Sequence, residues 1–107
     1  MNVPKVIAEL VKAQNNQDSI AYANCFSETA LVYDEGKNHH GKKEIQEWIA
    51  QANQTFKTVM KPIGYTGTAT SGVLSAEISG SFPGSPLVLN YHLELKDGLI
   101  ESLKIKG

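Results

Sequence analysis

The chain has 107 residues, 41% of them hydrophobic, enough to bury one core, so residues 1–107 are expected to form a single domain. Ten basic residues against eleven acidic ones give a net charge of -1, which excludes an electrostatic footprint for nucleic acid or a polybasic membrane face. Arginine is absent, so side chains offer no bidentate grip on phosphate or carboxylate, and any anion falls to lysine or backbone N–H groups.

Residues 1–11 place Glu9 among apolar residues and have no long hydrophobic core. Neither a signal peptide nor a membrane span is expected there, and the cytoplasm is the default location. In residues 3–14 the apolar positions Val3, Val6, Ile7, Leu10 and Val11 recur at helical spacing, with Pro4 tolerated in the first turn. Asn15, Asn16 and Gln17 break that pattern, and Asp18 restarts it as the N-cap of a short helix carrying Ile20, Ala23 and Phe26. Within it, Cys25 is the only cysteine, so no internal disulfide forms, and its apolar neighbours suggest a buried thiol rather than a nucleophile. Residues 29–34 read as a strand, followed by a polar loop through Gly36 and Gly41.

A third helix is expected over about residues 42–56, with Ile45, Trp48, Ile49, Ala52 and Phe56 on one stripe and Lys43, Glu44, Glu47, Gln51 and Gln54 on the wet side. Beyond Lys57 the period changes, and strands are expected over about 58–70, 73–82, 87–95 and 99–106. Ser71-Gly72, Pro83-Gly84-Ser85-Pro86 and Lys96-Asp97-Gly98 supply the turns. Strands following helices without alternation define an α+β fold with an antiparallel sheet. In the third of these strands Tyr91 shares the apolar side with Leu87, Leu89, Leu93 and Leu95, so its hydroxyl needs a partner.

Two stretches carry a family resemblance. The first runs from Asp18-Ser19-Ile20 through Phe26-Ser27-Glu28-Thr29-Ala30-Leu31-Val32 to Gly41-Lys42-Lys43-Glu44-Ile45-Gln46-Glu47-Trp48-Ile49. The second runs from Gly80-Ser81-Phe82-Pro83-Gly84-Ser85-Pro86 to Asp97-Gly98-Leu99-Ile100-Glu101-Ser102-Leu103. Together with the element order they resemble the SnoaL-like proteins of the nuclear transport factor 2-like superfamily, relatives of ketosteroid isomerase and the polyketide cyclases. The resemblance implies a cone-shaped, curved antiparallel sheet, a cystatin-like α+β barrel, with three helices in the N-terminal half enclosing a pocket. It also implies a homodimer formed through the sheet.

The resemblance places Asp34 where the Asp general base of ketosteroid isomerase ends the first strand. The tyrosine of that enzyme's oxyanion hole is matched by Leu10, and its late-strand Asp by Tyr91, so half of the hole is missing. The Asp-Arg-Asp arrangement of limonene epoxide hydrolases is excluded in a chain without arginine. SnoaL-type cyclases use an aspartate on a late strand, and this chain has none there.

Asp34 also stands out on its own terms, because Asp18 reads as an N-cap and Asp97 as a hairpin turn, leaving one aspartate without a structural task. It is the candidate base or polar anchor, its pKa raised if enclosed. The competing reading is a strand-end carboxylate held by nearby backbone N–H groups. Tyr22, His40, Trp48 and Tyr91 are the candidate substrate-binding residues. Trp48 also serves as core, and the tyrosines have a competing reading at the barrel rim. His39, His40 and His92 with Asp34 would be chemically suitable metal ligands, but adjacent histidines in a polar loop diverge, so neither metal nor cofactor is expected. The expected partner is a small apolar organic ligand. The rival reading is a non-catalytic dimerisation or association module using the outer sheet side, with Val88, Asn90, His92 and Ile78.

Overall fold

The computed structural model describes residues 2–107 as three helices and six strands: α1 (Lys5–Asn15), α2 (Ser19–Ala23), β1 (Phe26–Asp34), β2 (Lys37–His40), α3 (Gly41–Phe56), β3 (Val59–Gly67), β4 (Ser71–Ser79), β5 (Leu87–Lys96) and β6 (Leu99–Lys106). The strands make one curved, unclosed sheet in the order β2-β1-β6-β5-β4-β3. All neighbours run antiparallel except β1 and β6, which are parallel. The expected α+β class is correct, and the antiparallel expectation needs that one exception.

Alternation along each strand decides which side chains face the helices. Ala30 and Val32 of β1, Leu103 of β6, Tyr91, Leu93 and Leu95 of β5, and Leu74, Ala76 and Ile78 of β4 are buried on the inner face. Val6, Ile7, Leu10, Ala13, Ile45 and Ile49 close over them from α1 and α3. Ile78 therefore belongs to the core and not to the outer side, where the sequence reading put it; its register partner is Leu87, while outer Val88 pairs with Glu77.

The first helix begins later than expected, because Pro4 is its N-cap: the Pro4 carbonyl accepts from Ile7 N at 3.0 Å and Ala8 N at 3.2 Å. Asp18 caps α2 as expected, its carboxylate accepting from the Ala21 N–H at 3.0 Å. The Cys25 thiol donates to the Ala21 carbonyl at 3.5 Å and is buried, and burial with the charge of Glu9 pushes its pKa up to about 11.

The largest departure is β2. The segment Lys37-Asn38-His39-His40, expected as loop, pairs antiparallel with β1, from Asp34 opposite Lys37 to Leu31 opposite His40. Glu35 and Gly36 connect them with φ of 52° and 77°, the two left-handed residues of a type I′ hairpin. Asp97 and Gly98 form the same turn, at 53° and 77°, where it was expected.

A seam of amides joins α1 to the far edge of the sheet. Gln14, buried, donates from Nε2 to Thr58 Oγ1 at 2.8 Å, to the Thr58 carbonyl at 3.0 Å and to Asn53 Oδ1 at 3.0 Å. Gln17 donates to the same Thr58 carbonyl at 2.7 Å. Asn15 behaves like a further strand residue: its Nδ2 donates to the Met60 carbonyl at 3.0 Å, and its Oδ1 accepts from the Met60 N–H at 2.7 Å. Because Met60 is buried, losing the Asn15 amide leaves two backbone groups unpaired. Asn15→Ala is expected to cost about 1–3 kcal/mol, read as a lower urea midpoint with an unchanged denaturant slope.

Candidate functional site

Asp34 ends β1 on the inner side, in phase with Ala30 and Val32, just beyond the last β1–β6 pair, Tyr33 with Lys104. The next inner residue of β6, Ile105, pairs with Tyr91 of β5. Asp34 and Tyr91 therefore lie on one row across the sheet, separated by a single strand, roughly 10 Å between backbones, a gap that inward-leaning side chains shorten. Both tyrosine hydroxyls feel the Asp34 charge, which with burial raises the pKa of Tyr22 and of Tyr91. Burial is the largest cause in each case, so both phenols stay protonated and act as hydrogen donors.

The Asp34 carboxyl itself is pushed up to about 6 from an ordinary 3.8. Desolvation is the main cause and the neighbouring Glu35 charge adds to it; hydrogen bonds from the Trp48 side chain and the Glu35 backbone pull the other way. Desolvation wins, so the sequence-based expectation of a raised pKa agrees with the environment found here.

Aromatic rings complete the surroundings. Trp48, half-buried on α3, meets Tyr22 of α2 edge-on at 6.1 Å between centroids, and Tyr22 meets Phe26 at 5.7 Å. The face of Trp48 is covered by His39, stacked at 5.3 Å with 25° between the planes. Asp34, Tyr22, Trp48 and Tyr91 are thus brought together. His40 is not, and the expectation for it is corrected: it pairs with Leu31 on the outer side, is exposed, and serves as N-cap of α3, its N–H donating to Glu44 Oε1 at 2.8 Å. The sequence reading weighed His39 as a metal ligand but did not place it on the inner side against Trp48. Counting inward from a type I′ turn at Glu35-Gly36 puts Lys37 opposite Asp34 and His39 opposite inward-facing Val32, which is the signal that identifies it.

Tyr22 and Tyr91 are nearly closed off from solvent, whereas Asp34, His39 and Trp48 are half-buried, so the group runs from the interior to an accessible rim. Two surface depressions lie elsewhere, one of about 480 Å³ lined by residues including Asn15, Ser19, Asn53 and Lys57, and one of about 620 Å³ on the outer sheet face beside His92, Glu94 and Lys104. Neither has Asp34 in its wall. Among the described residues no three His, Cys, Asp or Glu side chains come together as a metal-ligand set, and His92 faces the outer side, away from Asp34. Leu10, at the position matched to an oxyanion-hole tyrosine, is fully buried core. Tyr65 reaches over Gly72 so closely that a Cβ there would collide with its ring, and its buried hydroxyl has no partner among the described residues.

A curved, unclosed sheet with helices across one face is the ketosteroid isomerase-like, cystatin-like class of α+β fold. The chain belongs to the SnoaL-like proteins of the nuclear transport factor 2-like superfamily. A Sinorhizobium meliloti protein provisionally described as a polyketide cyclase is 33% identical, over 97% of this chain and 95% of that one, with a TM-score of 0.93. A ketosteroid isomerase-like protein from Catenulispora acidiphila, solved in complex with trimethylamine, shares the fold at 15% identity, over 99% of this chain and 87% of that one, with a TM-score of 0.89. SalBIII, an epoxide hydrolase/cyclase-like enzyme of pyran ring formation in the polyether salinomycin, shares it at 20% identity, over 94% and 86% of the two chains, with a TM-score of 0.80. The sequence matches no family model and no curated protein. Among the described residues no helix is long and apolar enough to cross a membrane.

The raised Asp34 pKa has a stability signature. Below about pH 3 the carboxyl is protonated folded or unfolded; between the unfolded value of 3.8 and the folded value of about 6 the unfolded chain ionises first, so stability falls as pH rises through that window and stays lowered above it. Asp34→Asn, which keeps an acceptor for Trp48, is expected to raise the urea midpoint at pH 7.5 and to change it little at about pH 3. After discounting for partial exposure the gain is about 1 kcal/mol.

Proposed function

We propose that residues 1–107 form one SnoaL-like domain, working in the cytoplasm, that binds a small apolar organic ligand at the Asp34 rim and moves a proton on it in an isomerase- or cyclase-type step. The observation that carries this reading is the environment of Asp34: a carboxyl with a pKa of about 6, half-buried among Trp48, Tyr22 and Tyr91. Near neutral pH such a group is mostly ionised yet more basic than a free carboxylate, which suits a general base. Asp34 takes a proton from the carbon beside a carbonyl, the electron pair moves onto the carbonyl oxygen, and the protonated Tyr91 hydroxyl donates to that oxygen. Trp48 offers an aromatic wall, with Tyr22 beneath it. The 33% identical relative described as a polyketide cyclase supports the same chemical class.

Exchange of the α-proton of a polycyclic ketone into deuterated water, followed by NMR, tests this. The rate is expected to rise with pH through about 6 as Asp34 ionises, and Asp34→Asn is expected to reduce it at least a hundredfold with the fold retained. Unchanged exchange in that variant removes Asp34 from the chemistry.

A second reading, association through the outer sheet side as a homodimer or with another protein, is favoured by Leu31, Tyr33 and Val88, which are 38%, 39% and 48% exposed there. A dimer in sedimentation velocity that Tyr33→Glu dissociates supports it. A monomer at every concentration, with no partner recovered in pull-down, removes it.

A further inference from the structure

We propose that His39 is a positioning residue: stacked on Trp48, it fixes the indole beside Asp34 and anchors the hairpin arm that carries that residue. β2 is an edge strand of four residues, paired on one side only, and His39 is its one residue that is not exposed. The contact of His39 with Trp48, at 5.3 Å and near-parallel, is the inward anchor of the arm. Asp34 needs that anchor, because the β1–β6 pairing has already ended at Tyr33 and its register partner is Lys37 of the same arm. Without the stack the indole keeps its edge contact with Tyr22 but loses the ring over its face, and the arm is joined to α3 only through the chain at Gly41 and the His40–Glu44 hydrogen bond.

The groups facing Asp34 are Glu35 on its own turn, Trp48 from α3, Tyr22 from α2, Tyr91 from β5 and Lys37 across the hairpin. The tyrosines stay protonated, so Trp48 is the neighbour whose placement His39 governs. His39 itself is held below its ordinary pKa, first by burial and also by Lys37, against the opposing pull of Glu44. At neutral pH it therefore stacks as an uncharged ring.

This assignment builds on Asp34 as the working carboxylate, but it concerns the free protein and is tested without ligand. In carbon-13-labelled protein the Asp34 carboxyl is titrated by NMR while the Trp48 indole N–H resonance is followed. His39→Ala is expected to move the Asp34 midpoint from about 6 to about 7 and to abolish the step in the indole resonance that accompanies it. His39→Phe, which keeps a ring on the indole, is expected to restore both. In a Trp48→Phe background, adding His39→Ala is expected to change nothing further. Should the alanine variant not fold, His39→Leu fills the space without stacking, and both resonances are expected to behave as for alanine. Parental resonances in the variant without the ring, or an equal Asp34 shift in the Trp48→Phe background, overturn the assignment. Loss of proton exchange on ketones by none of these variants, with the titrations as expected, would count against the proposed function and leave the positioning role intact.

Discussion

The parallel pairing of β1 with β6 is the constraint on which the remaining architecture depends. It joins residues more than seventy positions apart, beginning where the Ile100 N–H donates to the Cys25 carbonyl at 2.9 Å and where Phe26 lies opposite Ile100, both fully buried. Every other strand pair is made by neighbours in the chain and closes through a short connection. This one closes a long loop, whose entropy cost is met by two apolar rows meeting on the inner face. It brings the helical half of the chain onto the four-stranded half and thereby puts Asp34 on the same row as Tyr91.

The two sheet edges are then held from opposite directions. At the β3 edge the holding groups are amides, and three side chains from the end of α1 occupy backbone groups of Thr58 and Met60. At the β2 edge they are rings, with His39 against Trp48. The chemistries differ in consequence. Hydrogen bonds fix distance and direction, so α1 is seated in one register; stacking holds two planes near-parallel and covers their faces, so the β2 edge is held by shape rather than by direction.

Much of this was legible in the residues. Helical spacing located α1 and α3, the Asp18 cap and the Asp97-Gly98 turn were correct to the residue, and alternation in β5 put Tyr91 inside. What failed was parity. Lys37-Asn38-His39-His40 has no apolar alternation to mark a strand, and Glu-Gly is a weaker signal for a left-handed turn than Asn-Gly, so the hairpin was read as loop and His40 rather than His39 was expected to face inward. Ile78 failed for the same reason, a face assigned without a register to fix it. The placement of Trp48 against Asp34 was not legible at all, because it depends on how α3 sits over the sheet and no periodicity encodes that.

The lone thiol gives the molecule a clock. Cys25 is buried, bonded to the carbonyl one turn back, and its pKa of about 11 leaves almost no thiolate near neutral pH. It also sits at the start of the β1–β6 pairing, its own carbonyl held by Ile100. Alkylation or disulfide exchange must therefore wait until the junction of α2 and β1 opens, and the rate at which the sulfur reacts reports how often that junction comes apart.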